Sequence, residues 1–383
     1  MVDSFVSQNL RSHERWGTLE GKRVLVRVDF NCPVAMVAGR QEVVDDFRIR
    51  MAVPLFEDLL QRGATVVACT HFGRPHGKVV EADRLEAVRR RLRELCPNVE
   101  LMENLRFNPG EETNDRAFGE SLIAGFDYFI NEAFSASHRA HASIMIPPTM
   151  VPSAAGPNLR REVATIEMLR TNPARPFVAI VGGAKVADKL GMVRVLASLA
   201  DTVIVGGAMA YTFERAQGRT IGSSLFDARH IDECAQLLHD GNVLIPDDTR
   251  GLADGVPVGV NGGSDPAVDF GANIPDGCEG FDIGPLTIAR FEKVIAAART
   301  ILCNGPMGVF EDERFALGTE AVVRAVASSN AVSIVGGGDS VAALRKFGLI
   351  DDVSFVLTGG GASLELVELG DLPGLRALRE SRY

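Results

Sequence analysis

The chain has 383 residues, of which 46% are hydrophobic and 23% charged, and a formal net charge of -10 at pH 7. That length exceeds one ordinary domain and fits two cores of typical size. No apolar run reaches the roughly 18 residues that span a bilayer, and the acidic balance argues against a nucleic-acid protein, whose footprint is a basic face. The N-terminal MVDSFVSQNLRSHERW mixes charged and apolar residues without a secretory pattern, so the cytoplasm is the expected compartment. The six cysteines (Cys32, Cys69, Cys96, Cys234, Cys278, Cys303) form no C-x-x-C pair and are expected to be buried, reduced thiols.

In chain order, RVLVRVDF reads as a strand and IRMAVPLFEDLLQRGA as a helix. TVVACTHF, a charged helix from Asp83 to Leu95, the strand-like VELMENLRF, a helical stretch near Arg116 to Ala124, and YFINEAF follow. Strand-helix-strand order at this spacing predicts a mostly parallel sheet with helices on both faces, and ligands at the carboxyl ends of its strands. The proline-rich IPPTMVPSAAGPN breaks the pattern, and the helical LRREVATIEMLR crosses the boundary it marks. The second half repeats the alternation. Four apolar runs there end in glycine and enter a helical pattern: VAIVGGAKV, TVIVGGAMA, SIVGGGDSV and FVLTGGGAS. Between Asp247 and Asp276 lies a Gly, Asp and Pro-rich excursion with two short strand candidates, and the chain closes on the amphipathic LPGLRALRESRY.

Polar residues collect at the ends of the first-half strands. RVDFN supplies Asp29 and Asn31, the turn before the first long helix Asp45, Asp46 and Arg48, and THFGRP supplies His71 and Arg74. ENLRF adds Arg106, and the segment after YFINEAF adds His138, Arg139 and His141. Four arginines and up to three histidines on one sheet edge suit a small, multiply anionic molecule. Each residue has a structural alternative: Arg48 as a solvated helix charge, Arg106 paired with Glu103 or Glu111, Asp29 as a turn former, the histidines of HRAH as satisfied structural groups. Five strand ends making the same choice favour one site.

The glycine turns of the second half suit a phosphate at a helix N-terminus. Lys185 and Lys189, four residues apart, are predicted on one helix face, and Asp339 stands where the third glycine run ends. Two lysines and an acid suggest phosphates plus magnesium. The G-x-G-x-x-G and G-x-x-x-x-G-K-[ST] patterns are both absent. ILCNGPMGVFEDE adds Asn304, a Gly-Pro turn and Glu311, an acid suited to ribose hydroxyls or to the start of a helix.

In order and spacing, RVDFNCPV, DDFRIR, THFGRPHGK, ENLRF, NEAFSASHRAHAS, GGAKVADKLG, GGAMAYTF, NGPMGVFE, SIVGGGDS and LTGGGASLE resemble the phosphoglycerate kinases, from about Gly21 to about Gly374. The resemblance implies an α/β fold of two Rossmann-like lobes, each a mostly parallel sheet flanked by helices, joined by a hinge helix. Residues 1–157 would be a triose-phosphate lobe, 158–172 the connecting helix and 173–364 a nucleotide lobe, with a tail of about 365–383 returning to the first. It implies Mg-dependent phosphoryl exchange between 1,3-bisphosphoglycerate and ADP, giving 3-phosphoglycerate and ATP, by a monomer. Asp29, Phe30, Asn31, Arg48, His71, Phe72, Gly73, Arg74, Arg106 and Arg139 correspond to triose contacts. Lys189, Glu311, Gly337, Gly338, Asp339 and Ser340 correspond to nucleotide contacts, with magnesium at Asp339. Arg48 and Lys185 would flank the phosphoryl group in flight.

The sequence departs from the family pattern at Cys303, where tryptophan is usual, at Glu132, where aspartate is usual, at Ala208, which replaces a glycine beside the adenine pocket, and in PDDTRGLADG. These departures bear on adenine affinity and base preference. Two other readings stay open: a catalytically silent phosphate or nucleotide binder, and a dinucleotide enzyme that uses the glycine turns for a pyrophosphate.

Overall fold

Short β-branched runs buried on both faces can satisfy their backbone only inside a parallel sheet covered by helices. The computed structural model, which describes residues 6–253 and 265–381, contains two such sheets in two compact units. Unit 1 runs to Met168 and resumes at Gly361; unit 2 is Leu169–Gly360.

In unit 1, β1 (Arg23–Arg27) is followed by a hairpin, β2 (Val34–Val37) and β3 (Arg40–Val43), then by β4 (Thr65–Cys69), β5 (Glu100–Leu101), β6 (Tyr128–Asn131) and β7 (Ser153–Ala155). The sheet order is β5-β4-β1-β6-β7, parallel throughout. Helices α1 (Phe47–Gln61), α2 (Glu86–Leu95), α3 (Pro109–Glu112), α4 (Arg116–Ile123), α5 (Ala142–Met145) and α6 (Pro157–Thr171) follow in the chain, and α6 carries it into unit 2. On α1, Ile49, Ala52, Phe56 and Leu59 recur at helical spacing and bury one face against Val24, Val26 and Ile130.

Unit 2 contains β8 (Phe177–Val181), α7 (Leu190–Leu199), β9 (Thr202–Val205), α8 (Ala210–Ala216), α9 (Ile231–His239) and β10 (Val243–Leu244). An antiparallel excursion then comprises β11 (Thr249–Leu252), β12 (Val268–Phe270) and β13 (Glu279–Ile283). The chain re-enters the main sheet through α10 (Pro285–Ala296), β14 (Thr300–Asn304), α11 (Leu317–Ser328), β15 (Val332–Gly336), α12 (Gly338–Lys346) and β16 (Phe355–Leu357). The parallel order is β10-β9-β8-β14-β15-β16, and every residue of β8 and β14 is buried. Finally α13 (Gly361–Leu369) and α14 (Pro373–Glu380) pack with unit 1, where the Gly374 amide donates to Ser137 O at 2.8 Å.

Three details differ from the sequence reading. VELMENLRF is strand only over Glu100–Leu101, because the Asn104 side chain accepts from the amides of Phe72 and Arg106 and turns ENLRF into a 3-10 helix. The hairpin over residues 34–43 and the third excursion strand, β13, went unread. Residues 254–264 of the excursion lie outside the described residues. All six cysteines are buried and free.

Candidate functional site

On unit 1 the chosen residues meet at the carboxyl edge of β1, β4 and β6. Asp29, two residues past β1, accepts from Arg48 in the first turn of α1, from Ser135 beyond β6, and from the Asn31 amide at 3.0 Å. Arg48 is therefore ion-paired, not merely solvated. Burial works to raise the Asp29 carboxyl, but Arg48 and the hydrogen bonds hold it well below the usual carboxylate range. Asn31 Oδ1 accepts from the Gly73 amide at 3.1 Å, and Gly73 O accepts from Arg106 Nη1 at 2.7 Å. Arg106 is buried and pairs through Nε with Glu112 at 3.0 Å, not with Glu103 or Glu111. Arg139 Nε donates to His138 Nε2 at 3.1 Å. Arg74 is exposed and makes no ion pair or hydrogen bond among the described residues.

Phe30 and Phe72 sit differently. Both side chains are buried in the core, Phe30 edge-on to Phe56 at 6.3 Å, while their amides donate to Thr70 Oγ1 and Asn104 Oδ1. His71 Nδ1 lies 3.2 Å from Nη2 of Arg27; burial first, then the Arg27 charge, pushes the imidazole well below the usual histidine range and keeps it neutral. His141 is pushed to about 4, by burial and then Arg106.

Sequence reasoning missed Arg27 and Glu111. Arg27 is fully buried, and its guanidinium bonds Ser143 Oγ at 3.0 Å and lies 4.0 Å from Glu111 Oε1. Glu111, also fully buried, accepts from Ser143 N at 2.9 Å and Ser143 Oγ at 2.6 Å. The available signal was an arginine placed mid-run in an otherwise apolar strand.

On unit 2 three glycine turns interlock. Met209 N donates to Gly183 O, Gly207 N to Met307 O, and Gly182 N to Asn304 O, each at 3.0 Å. Gly183, at φ 124°, and Gly337, at φ 89° just ahead of α12, occupy backbone conformations that side chains disfavour. Lys185 and Lys189 do not share a helix face as expected. Residues 182–189 form turns before α7, and Lys189 folds back so that Nζ bonds Gly182 O at 2.5 Å, Asn304 Oδ1 at 2.9 Å and Asn304 O at 3.1 Å. Burial lowers the Lys189 ammonium from its ordinary value. Lys185 is exposed and unpartnered among the described residues.

A cleft of about 320 Å³ opens over these turns, lined by Gly183, Gly207, Ala208, Pro306, Glu311 and Asp339, and beyond them by Tyr211, Leu225, Glu279, Gly280, Phe281 and Val309. Glu311 and Asp339 are exposed, Asp339 in the first turn of α12. Gly338 is the first residue of α12 and Ser340 lies beneath, its Oγ accepting from Gly305 N at 2.5 Å. Among the described residues no three His, Cys, Asp or Glu side chains group as a cation cage. Magnesium is typically held by one or two carboxylates together with substrate phosphates, so Asp339 beside the glycine turns fits that ion.

A cleft over glycine turns with an acid in the first turn of a helix beside it, in a molecule that also brings several arginines to one sheet edge, fits an enzyme of phosphoryl transfer. A family model described as phosphoglycerate kinase matches residues 16–101 and 96–369. The phosphoglycerate kinase of Rubrobacter xylanophilus is 46% identical, covering 94% of this chain and 96% of its own. That of Moorella thermoacetica is 44% identical over 94% and 97%. The solved phosphoglycerate kinase of Coxiella burnetii superposes with a TM-score of 0.86 at 36% identity, over 96% of this chain and 98% of its own. The chain belongs to the phosphoglycerate kinase family. It is a kinase that transfers phosphate to the carboxyl group of 3-phosphoglycerate, as its motifs implied, and membership of the family implies a nucleotide as the other substrate. The dinucleotide-enzyme reading falls with that finding. No helix among the described residues is long and apolar enough to cross a membrane.

Two departures from the family pattern are now located. Cys303 is buried in β14, its thiol pushed to about 12 by burial. Glu132, just after β6, is buried and accepts from Asn158 N at 3.1 Å, Asn158 Nδ2 at 2.7 Å and Leu159 N at 3.3 Å, closing the first turn of α6. Burial outweighs those donors and raises its carboxyl from 4.5 to about 8. A folded-state value above the unfolded one means that the stability Glu132 contributes is complete below about pH 4.5 and is lost as pH rises through about 8. Glu132→Gln should therefore gain thermal stability over the parent steadily between those values. Melting temperatures that stay parallel across the range would contradict it.

Proposed function

We propose that 3-phosphoglycerate binds the unit 1 edge through Asp29, Asn31, Arg48, His71, Arg74, Arg106 and Arg139, with the backbone of Phe30, Phe72 and Gly73 completing the cradle. The nucleotide binds the unit 2 cleft, with its phosphates on the Gly337, Gly338, Asp339, Ser340 turn at the positive end of α12, its ribose on Glu311, and the loop beneath braced by Lys189. The observation that carries this reading is that Arg74 and Lys185 are exposed cations with no counter-charge among the described residues, one in each predicted ligand site. Domains divide accordingly: 1–157 for the triose phosphate, 158–172 as connecting helix, 173–364 for the nucleotide, and 365–383 with the first lobe. The same reading makes the enzyme a cytoplasmic monomer.

An acyl phosphate is already activated, so its transfer to ADP calls for no protein nucleophile and no general base. The requirement is alignment and charge neutralisation. Arg48 and Lys185 supply donors to the equatorial oxygens of the moving group, each worth about 3 kcal/mol when aimed at developing charge. Asp339 would hold Mg2+, which supplies charge neutralisation on the nucleotide phosphates when bound. Because the two anions are assigned to different units, in-line transfer requires closure that brings the reacting atoms within about 3.5 Å.

Turnover of 3-phosphoglycerate with magnesium and nucleotide, read as NADH loss through excess glyceraldehyde-3-phosphate dehydrogenase, tests the assignment. It should vanish on chelation of magnesium, and Arg48→Ala should lower kcat at least about a hundredfold in a normally folded protein. Near-normal turnover in that variant would remove Arg48 from the reacting centre. Small-angle scattering should show a smaller radius of gyration with both substrates present than with neither; an unchanged radius would argue against closure.

A further inference from the structure

The far wall of the unit 2 cleft contains a carboxylate with nothing to do in the fold. Glu279 opens β13 in the sequence EGFDI, half-buried, beside the apolar surfaces of Leu225, Phe281 and Val309. It makes no ion pair and no side-chain hydrogen bond among the described residues, whereas many other acids of this chain pair with an arginine, as Asp29, Asp46 and Glu112 do. Half-burying an acid in an apolar wall is unfavourable unless a ligand supplies the missing donors. A second polar group stands next to it. The Tyr211 hydroxyl packs over Gly280, without a hydrogen-bond partner among the described residues, and Glu279 is near enough for its charge to act on the phenol. Burial raises both groups, the phenol well above its ordinary value, so Tyr211 remains an O–H donor throughout the neutral range.

The position of Glu279 decides what those donors belong to. Asp339 and the glycine turns sit at the ends of the main-sheet strands, where phosphates are expected, whereas β13 belongs to the separate antiparallel sheet. The wall that carries Glu279 is therefore where a base would lie. The Watson-Crick edge of guanine offers two adjacent donors, N1–H and the N2 amine, which a carboxylate can accept together, and next to them the O6 acceptor, which a hydroxyl can satisfy. Adenine offers one amine donor and turns the lone pair of N1 toward the same carboxylate. We propose that Glu279, assisted by Tyr211, selects guanine over adenine, so that GDP and GTP are the preferred nucleotides of this kinase. The inference rests on the reading of the cleft as the nucleotide site, and it answers the question of base preference that the Ala208 departure raised.

The test compares kcat/KM for MgGTP, MgITP and MgATP at saturating 3-phosphoglycerate in the full chain and in Glu279→Met and Glu279→Gln, alongside calorimetric titration of GDP and ADP. In the parent, GTP should exceed ATP by at least about tenfold, with ITP, which lacks the N2 amine, between them. Glu279→Met should cut the GTP value by about a hundredfold and raise the ATP value, reversing the preference, while the KM for 3-phosphoglycerate holds. Glu279→Gln, which keeps one acceptor, should fall between. A parent that prefers ATP, or a GTP-to-ATP ratio that Glu279→Met leaves alone, overturns the proposal. Glu279-dependent GDP binding without turnover by any nucleotide would uphold the base reading and remove the reaction from this site. Absence of both overturns the two readings together.

Discussion

Arg27 is the residue on which the anion edge rests. A guanidinium with no exposed surface must be paired and hydrogen-bonded wherever it points, or the fold loses about 3–5 kcal/mol to an uncompensated charge. From the central strand β1 it reaches the His71 imidazole after β4, the Ser143 hydroxyl in α5 and the neighbourhood of the Glu111 carboxylate in α3. Three loops that sequence separates by tens of residues are thereby tied at their bases. Arg48, Arg106 and Arg139 project from the same loops or from elements bonded to them and are each held by a partner, whereas Arg74 follows Gly73 on one of those loops with its side chain unheld. Such prior placement is what makes arginines useful to a dianion, since little ordering is left to oppose binding.

Unit 2 is limited by backbone proximity instead. Its glycine turns lie against one another, and a Cβ at Gly182 would strike Pro306 O. Lys189 cross-links this backbone with its ammonium, and desolvation lowers its proton affinity as a consequence. Of the two lysines singled out in GGAKVADKLG, one therefore braces the cradle and the other, Lys185, remains available to a phosphate. The same sequence motif divides into a structural and an exposed cation.

Much of this was legible in the chain. Strand ends were readable because a buried parallel strand leaves an apolar run that stops at its first polar residues, as RVLVRVDF does at Asp29 and THFGRP does at His71. Asp339 was readable because glycine followed by an acid marks a helix start. What escaped depended on contacts distant in sequence. The helical spacing of Lys185 and Lys189 was misleading, since Lys189 gains more from bonding Gly182 and Asn304 than from continuing a helix. Phe30 and Phe72 look like site residues by adjacency to polar neighbours, yet alternation turns them into the core. Arg27 and Glu111 are buried partners joined across 84 positions, and no local pattern announces such a pair. Glu279 left only a weak signal, one of two acids in the short strand EGFDI.

On the proposed reading, the unit 1 edge offers its arginines to a small anion before any nucleotide binds. Calorimetric titration of 3-phosphoglycerate into the nucleotide-free full chain, at low and at high salt, measures that most directly, with Arg74→Ala as the comparison because this side chain has no partner to lose among the described residues. A single site is expected, weakened by salt and weakened about tenfold further by the substitution. Binding indifferent to both salt and Arg74 would mean that the arginine edge is not where the triose phosphate sits.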